Sequence, residues 1–374
     1  MKKREYLRDI TVVLLCAGSA SRFEKQVKKQ WLRVGDKPLW QKVEDDFKAY
    51  GFENIIVVAS AKDVGYMQKL TQSKVVHGGQ TRQESLKNAL GFVQSSKVLV
   101  SDVARCCFDS AMVDRILATD GDCIVPYLPL NDTVYYDGTP INREKLKIIQ
   151  TPQLSNTKLL KQALNQKTIY TDDSSAIYAM GADVVFVEGS TKAHKLTRVE
   201  DIQKIECLQK PSEKVFVGTG FDTHAFEVGK KMVLCGVEIE SEVGFKAHSD
   251  GDVAIHAIID ALLGACGMGD IGELYPDTDA EFKGVDSKTL LRDTVDRVYS
   301  CGFDIHNIDI TVIAQQPRLK EYKLQMQRGV QKLTKCDFVN IKATTAEKMG
   351  YIGRCEGVAV QAVATVGFYK WGKE

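Results

Sequence analysis

Three side chains able to ligate a metal recur at short spacing in the second half of this 374-residue chain. Asp222 and His224 stand two apart in Gly218-Thr219-Gly220-Phe221-Asp222-Thr223-His224, so on an extended strand both point to one face. Ala247-His248-Ser249-Asp250-Gly251-Asp252 follows, and then a helical run carrying His256 and Asp260, which are i,i+4 and share a helix face. One Asp and two His give three protein ligands and one open position, the pattern of catalytic rather than structural zinc. The Gly-rich segment reads as a turn beside the site. Ser249 or Asp250 would cap the helix, and Asp260 would either orient His256 from outside the ligand set or make a local hydrogen bond. Each piece also has a bland reading: His256 as a core histidine, Asp-x-His as surface.

The first half carries a different chemistry. After an apolar run comes Cys16-Ala17-Gly18-Ser19-Ala20-Ser21-Arg22-Phe23, then Lys25, Lys28, Lys29 and Gln30. Small residues let backbone N–H groups approach phosphate oxygens, and Arg22 with the lysines supplies charge for a triphosphate. The pattern is neither a Walker P-loop nor GxGxxG. Gly78-Gly79-Gln80-Thr81-Arg82-Gln83-Glu84-Ser85 opens a helix with small polar residues, a natural ligand-facing turn. Val100-Ser101-Asp102-Val103-Ala104-Arg105 ends a strand on an acid able to meet Mg²⁺ on a nucleotide, or else forms an Asp–Arg surface pair.

These residues need elements to hold them. Ile10–Cys16, Asn54–Ala59, Lys97–Val100, Asp122–Val125 and Asp183–Val187 read as short apolar strands, with amphipathic helices at 39–50 and 81–94 between them. That alternation predicts a mostly parallel sheet covered on both faces, with ligands beyond the carboxyl ends of the strands. Residues 208–214 are polar and carry one proline, which places a boundary there. Composition shifts at the same point. Residues 1–210 hold 31 Lys+Arg against 25 Asp+Glu, a net +6; residues 211–374 hold 19 against 24, a net −5. The basic excess is too small and scattered for a nucleic-acid groove but suits a polyphosphate ligand. The chain shows no apolar run long enough to span a bilayer and no signal-peptide core. Its ten cysteines lack CxxC spacing and read as reduced thiols of a cytoplasmic protein.

The first-half motifs, L-x-A-G-x-x-x-R-F…K-K-Q-W-L, GG-x-x-R-x-E-S and S-D-V-A-R, resemble 2-C-methyl-D-erythritol 4-phosphate cytidylyltransferases over roughly residues 8–207. The match continues through Asp132-Thr133, Arg143, Thr151-Pro152-Gln153, Thr171-Asp172-Asp173 and Lys195-Leu196-Thr197. The resemblance implies an α/β Rossmann-like nucleotidyltransferase domain at 1–209. It implies that Arg22 and Lys29 stabilise charge developing on the α-phosphate, and that Ala17, Gly18, Gln80 and Ser85 hold CTP. Asp102 would lie beside the Mg²⁺- or Mn²⁺-nucleotide, while Thr133, Arg143 and Lys195 grip methylerythritol phosphate and aim it. Ser101 and Cys106 depart from the family's usual His and Pro.

The second-half motifs, GFD-x-H-x-F, A-H-S-D-G-D, GDIG-x-L-x-P-D-T-D, KATT-x-EK and GR-x-EG, resemble 2-C-methyl-D-erythritol 2,4-cyclodiphosphate synthases across residues 215–368. The implied fold for 210–374 is α+β, ferredoxin-like. Asp222, His224 and His256 would bind Zn²⁺, and Glu347 would hold a second divalent ion across the diphosphate. His248 and Thr345 would stabilise the transition state. Ser249, Asp270 and Asp277 would line the erythritol pocket; Thr344 would contact the diphosphate, Arg354 a diphosphate or an isoprenoid phosphate, and Ala314–Lys320 would receive cytosine. The substrate's 2-phosphate would attack its β-phosphorus with loss of CMP. Cys355 and Ala346 depart from the usual Gly and Thr.

Both resemblances belong to one isoprenoid-precursor pathway, so the expected protein is a bifunctional cytidylyltransferase and cyclodiphosphate synthase. A kinase step separates the two reactions, which makes association with that kinase an expectation to test. Trimeric second domains joined to dimerising first domains would give a hexamer or a larger homo-oligomer. The rival readings are a sugar-nucleotide pyrophosphorylase fused to a zinc-binding module, and a nucleotide-sensing module with a structural zinc. The latter lacks a well-spaced fourth ligand.

Overall fold

The computed structural model describes residues 2–18, 23, 25–166, 168–247, 250–276, 278–279, 282 and 284–372. Arg22, His248, Ser249 and Asp277 lie outside these residues. The chain divides into two compact units, Met1–Lys210 and Pro211–Glu374, and the division falls inside the polar stretch 208–214. No helix among the described residues is long and apolar enough to cross a membrane.

The first unit is built on an eight-stranded sheet. Its path runs Lys147–Ile149, Cys123–Pro129, Gln153–Asn156, Lys97–Asp102, Ile10–Leu15, Asn54–Ala59, Lys74–His77, and Val184–Glu188 pairs with Cys123–Pro129 off that path. The strands Lys97–Asp102, Ile10–Leu15, Asn54–Ala59 and Lys74–His77 are mutually parallel, whereas Gln153–Asn156 runs antiparallel to both of its neighbours. Val13 packs on one face with Leu86, Ala89, Leu160 and Ile177 of the covering helices. Val12 and Leu14 alternate to the other side and are equally buried. A sheet covered on both faces explains why its strands read as unbroken apolar runs. The register sets Leu15 beside both Val58 and Asp102, and Ala59 beside His77, so the loops after these strands gather at one end of the sheet.

The second unit is a five-stranded sheet in the order Val243–Phe245, Val215–Val228, Gly357–Phe368, Phe303–Ile313, Val339–Thr344. All neighbours are antiparallel except the last pair. The helix Val253–Cys266 packs against Val215–Val228 and Gly357–Phe368. Here one sequence expectation is corrected. Gly218-Thr219-Gly220 is not a turn but the interior of the long strand Val215–Val228. The glycines are there for close approach: a Cβ on Gly220 would sit 1.9 Å from Ala257 O, and one on Gly218 would sit 2.1 Å from Ala261 O. The helix backbone therefore rests directly on the strand backbone. Helix cap and strand ligands are thereby brought together, because the N-terminal turn of this helix carries His256 down onto Asp222.

Candidate active sites

In the first unit the gathered loops enclose a cavity of about 890 Å³, lined by Ala17, Gly18, Lys29, Gln80, Ser85, Asp102 and Lys195. Seven residues expected to act on nucleotide or substrate thus share one concavity at the carboxyl ends of parallel strands. Glycine lets the loops close: a Cβ on Gly78 would lie 2.6 Å from that of Ala17. The Ser85 hydroxyl donates to Thr81 O at 2.9 Å and accepts from Gly79 N at 3.1 Å. Gln80 N donates to Glu84 Oε2 at 2.7 Å, and Thr81 caps the helix Arg82–Leu90. The 78–81 turn is therefore fixed before any ligand enters.

Asp102 ends its strand inside a charged network. Lys195 Nζ donates to its Oδ2 at 2.6 Å and Arg82 Nε to its Oδ1 at 3.2 Å. Burial pushes the Asp102 carboxyl up, but the charges and hydrogen bonds of Arg82 and Lys195 outweigh burial and hold it at about 2. Arg105 lends Asp102 its charge but directs its hydrogen bonds to Ala193 O and Ile149 O. Arg82 also donates to both oxygens of Asp173, at 2.6 and 3.3 Å. Sequence reasoning gave neither Arg82 nor Asp173 a role, although Arg82 sits inside the GG-x-x-R-x-E-S motif.

Thr133 and Arg143 do not line this cavity. Thr133 directly precedes, and Arg143 closely follows, the hairpin of Val134–Tyr136 and Thr139–Ile141, where Arg143 donates to Asn131 O. Tyr135 and Tyr136 on that hairpin are exposed. The reading of all ten cysteines as free thiols fails at one pair, because Cys107 and Cys207, 100 residues apart, form a disulfide. No local spacing signals a bridge across such a distance. The remaining eight lie outside that bridge.

In the second unit Asp222, His224 and His256 bring one ligand atom each within 4.8 Å of one another. Asp222 Oδ2 lies 3.1 Å from His256 Nδ1 and 3.4 Å from His224 Nδ1. The His224 Nδ1 atom is buried and makes no hydrogen bond among the described residues. Burial keeps that imidazole below its ordinary value, which favours the neutral form a metal ligand requires. An unsatisfied nitrogen, a second imidazole nitrogen and a carboxylate converging on one point fit a divalent ion. The opposite nitrogen of His256, Nε2, lies 3.0 Å from Ser287 Oγ, whose proton goes to Asp250 Oδ1 at 2.5 Å. With that proton committed, Ser287 accepts from Nε2–H and leaves Nδ1 facing the ligand set.

Two expectations change here. The helix Val253–Cys266 is capped by Asp252, which accepts from Ile255 N at 3.1 Å and also from Cys235 N and Gly236 N. Asp260 makes no hydrogen bond to His256; it accepts from Ile271 N at 2.8 Å. Ser287, 31 residues from His256, occupies the outer position that sequence spacing offered to Asp260. Asp270 caps the short helix Ile271–Leu274.

The remaining predicted residues lie apart from the metal group. Thr223, Ala359, Ile313 and Thr344 form one row across four strands, so Thr344 stands roughly 14 Å from Thr223 at the usual interstrand spacing. Thr345 Oγ1 donates to Glu347 Oε1 at 2.8 Å, and Glu347 takes a left-handed backbone (φ 50°) in an exposed turn. Arg354 pairs with Glu356 at 2.8 Å on the surface. Ala314 N donates to Thr344 O at 3.0 Å, which ties the 314–320 segment to the same edge; Lys320 there is exposed.

Residues 10–210 match the 2-C-methyl-D-erythritol 4-phosphate cytidylyltransferase family, and residues 215–367 match the YgbB family. The bifunctional enzyme IspD/IspF of Sulfurovum sp. (strain NBC37-1) is 55% identical over 368 residues, covering 97% of this chain and 99% of that one. This chain belongs to the bifunctional IspD/IspF family. The IspD/IspF enzyme of Sulfurimonas denitrificans is 51% identical over 373 residues, covering 98% and 97% of the two chains. The solved structure of the bifunctional IspDF from Campylobacter jejuni superposes with a TM-score of 0.87 at 45% identity, covering 97% of this chain and all of that one. As an IspD/IspF enzyme the chain is a bifunctional catalyst of the methylerythritol phosphate pathway. Its cytidylyltransferase domain has a Rossmann-like α/β sheet, and its cyclodiphosphate synthase domain is α+β.

Proposed function

We propose that CMP transfer from CTP to 2-C-methyl-D-erythritol 4-phosphate, with release of pyrophosphate, takes place in the cavity that holds Lys29, Asp102 and Lys195. Ala17, Gly18, Gln80 and Ser85 shape the nucleotide end of that cavity, and Mg²⁺ or Mn²⁺ accompanies the triphosphate. Lys29 and Arg22 meet the α-phosphate charge, while Lys195, paired to Asp102, positions the attacking phosphate. The convergence of these residues on one cavity at the sheet's carboxyl end carries this reading. Thr133 and Arg143 act in the partner's cavity, reached by the exposed Tyr135–Tyr136 hairpin of a dimer.

The second unit cyclises 4-diphosphocytidyl-2-C-methyl-D-erythritol 2-phosphate and releases CMP. Asp222, His224 and His256 hold the divalent ion, with zinc suited to their donor set. Bound there, the ion supplies positive charge that polarises a phosphate oxygen. The convergence of the three ligand atoms carries this reading. Glu347, held by Thr345, provides the carboxylate for a second cation, and Thr344, Arg354 and the 314–320 segment meet diphosphate and cytosine. His248, Ser249, Asp270 and Asp277 serve the transition state and the polyol. The separation of Thr344–Glu347 from the metal group within one chain supports a site completed between subunits of a trimer. The exposed Val215, Val217 and Phe221 on the strand Val215–Val228 support the same assembly. Eight of the ten cysteines lie outside the Cys107–Cys207 bridge, which supports a cytoplasmic setting.

The two reactions test each other in the intact chain. Lys29→Ala is expected to abolish pyrophosphate release and leave cyclisation intact. Asp222→Ala is expected to abolish metal binding and CMP release and leave pyrophosphate release intact. Cyclisation at the wild-type rate in Asp222→Ala would refute the metal assignment.

A further inference from the structure

Asp173 opens the helix Asp173–Tyr178 and is buried, with 1% of its surface exposed. Its carboxylate has one guanidinium against it, that of Arg82, held through both oxygens at 2.6 and 3.3 Å. Arg82 in turn spends only Nε on Asp102 Oδ1, which leaves Oδ2 to Lys195 at 2.6 Å. Arg82, Asp102 and Lys195 all line the cavity, and Asp173 stands behind Arg82 in the core, 1% exposed against 27% for Arg82. A guanidinium prefers to grip a carboxylate with two parallel N–H groups. Arg82 satisfies that preference on Asp173. Deprived of Asp173, its fork would turn to the nearest remaining carboxylate, Asp102, and compete with Lys195 for Oδ2.

We infer that Asp173, acting through Arg82, is a positioning residue for CMP transfer: it keeps the Arg82 fork off Asp102 so that Asp102 orients Lys195. The inference rests on the reading that Asp102 and Lys195 face the substrate. It requires no contact between Asp173 and any ligand.

The test uses the full chain, with pyrophosphate release as the signal and CMP release by the second unit as an internal control. Asp173→Asn keeps the side-chain shape and removes the bidentate acceptor. It should lower kcat for CMP transfer about 10- to 100-fold, the range expected when a catalytic group is misplaced by about 1 Å. It should also raise KM for methylerythritol phosphate, leave KM for CTP within about threefold, and leave cyclisation at the wild-type rate. Should Asp173→Asn fail to fold, the Asp173→Asn/Arg82→Gln double variant decides, since it leaves no uncompensated buried charge. Residues acting as one unit lose activity non-additively, so the double variant should lose no more than Arg82→Gln alone. Because the double variant also removes the competitor for Asp102, recovered kcat there supports the inference; wild-type kcat in a folded Asp173→Asn, a double variant slower than Arg82→Gln alone, or KM effects confined to CTP would each overturn it. Full activity in Asp102→Asn would instead overturn the reading beneath it.

Discussion

Replacing Ser287 by Ala separates the orientation of a metal ligand from its identity. Ser287 is fully buried, and its Oγ bridges His256 Nε2 at 3.0 Å and Asp250 Oδ1 at 2.5 Å. Alanine leaves the Nε2–H without its acceptor and frees the imidazole to carry its proton on Nδ1, the atom 3.1 Å from Asp222. Loss of such an outer partner weakens metal affinity about 10- to 100-fold, or about 1.4 to 2.7 kcal/mol. The assay is competition for Zn²⁺ between the metal-free full chain and a chromophoric chelator, with thermal unfolding run alongside. Asp260→Asn is the control, because Asp260 serves Ile271 N instead; its affinity should stay within about threefold of wild type. A folded Ser287→Ala chain with wild-type affinity, or a larger loss from Asp260→Asn, would refute the argument.

Further consequences can be measured directly. Gly220→Ala should destabilise the second unit by about 3 kcal/mol, the upper end of overpacking costs, since the new Cβ meets the backbone at Ala257 O and Ala261 N. Gly264→Ala in the facing helix meets nothing closer than 4.0 Å and should be neutral or stabilising by about 0.5 to 1 kcal/mol in the same thermal melts. The Asp102 carboxyl sits at about 2 in the folded chain against an ordinary 3.8. Its contribution, about 2 kcal/mol, is present above pH 4 and fades as pH falls from about 4 to about 2. Acid unfolding followed by Trp31 and Trp40 in a Trp371→Phe background should therefore fall more steeply in wild type than in Asp102→Asn; parallel curves would contradict this. Alkylation under denaturing, non-reducing conditions should label eight thiols, rising to ten after reduction, with Cys107 and Cys207 the late pair.

The elements that place chemistry locally were legible in the chain. Period-two spacing put Asp222 and His224 on one face of a strand, and the apolar run around His256 announced a buried helix. Short apolar segments followed by Gly-rich loops located the nucleotide cavity at Ala17–Gly18 and Gly78–Gln80. Where two readings competed at one spacing, the chain left them open. At the start of the His256 helix the sequence offered Ser249 or Asp250 as N-cap, and the structure puts Asp252 there instead. Asp260 shares a face with His256, but Ile271 N takes its carboxylate.

The sequence by itself determined the two-part architecture, the three metal-ligand candidates and most of the cavity wall. Those depend on composition and on periodicities of two and 3.6 that each element carries within itself. Tertiary structure decided who meets whom across long separations: Arg82 with Asp173, Ser287 with Asp250 and His256, Cys107 with Cys207. It also decided that Gly218 and Gly220 are contact points rather than a turn. Such pairings arise because packing two faces leaves each buried polar group to find its partner among whatever the opposing element presents, and no local pattern records that encounter.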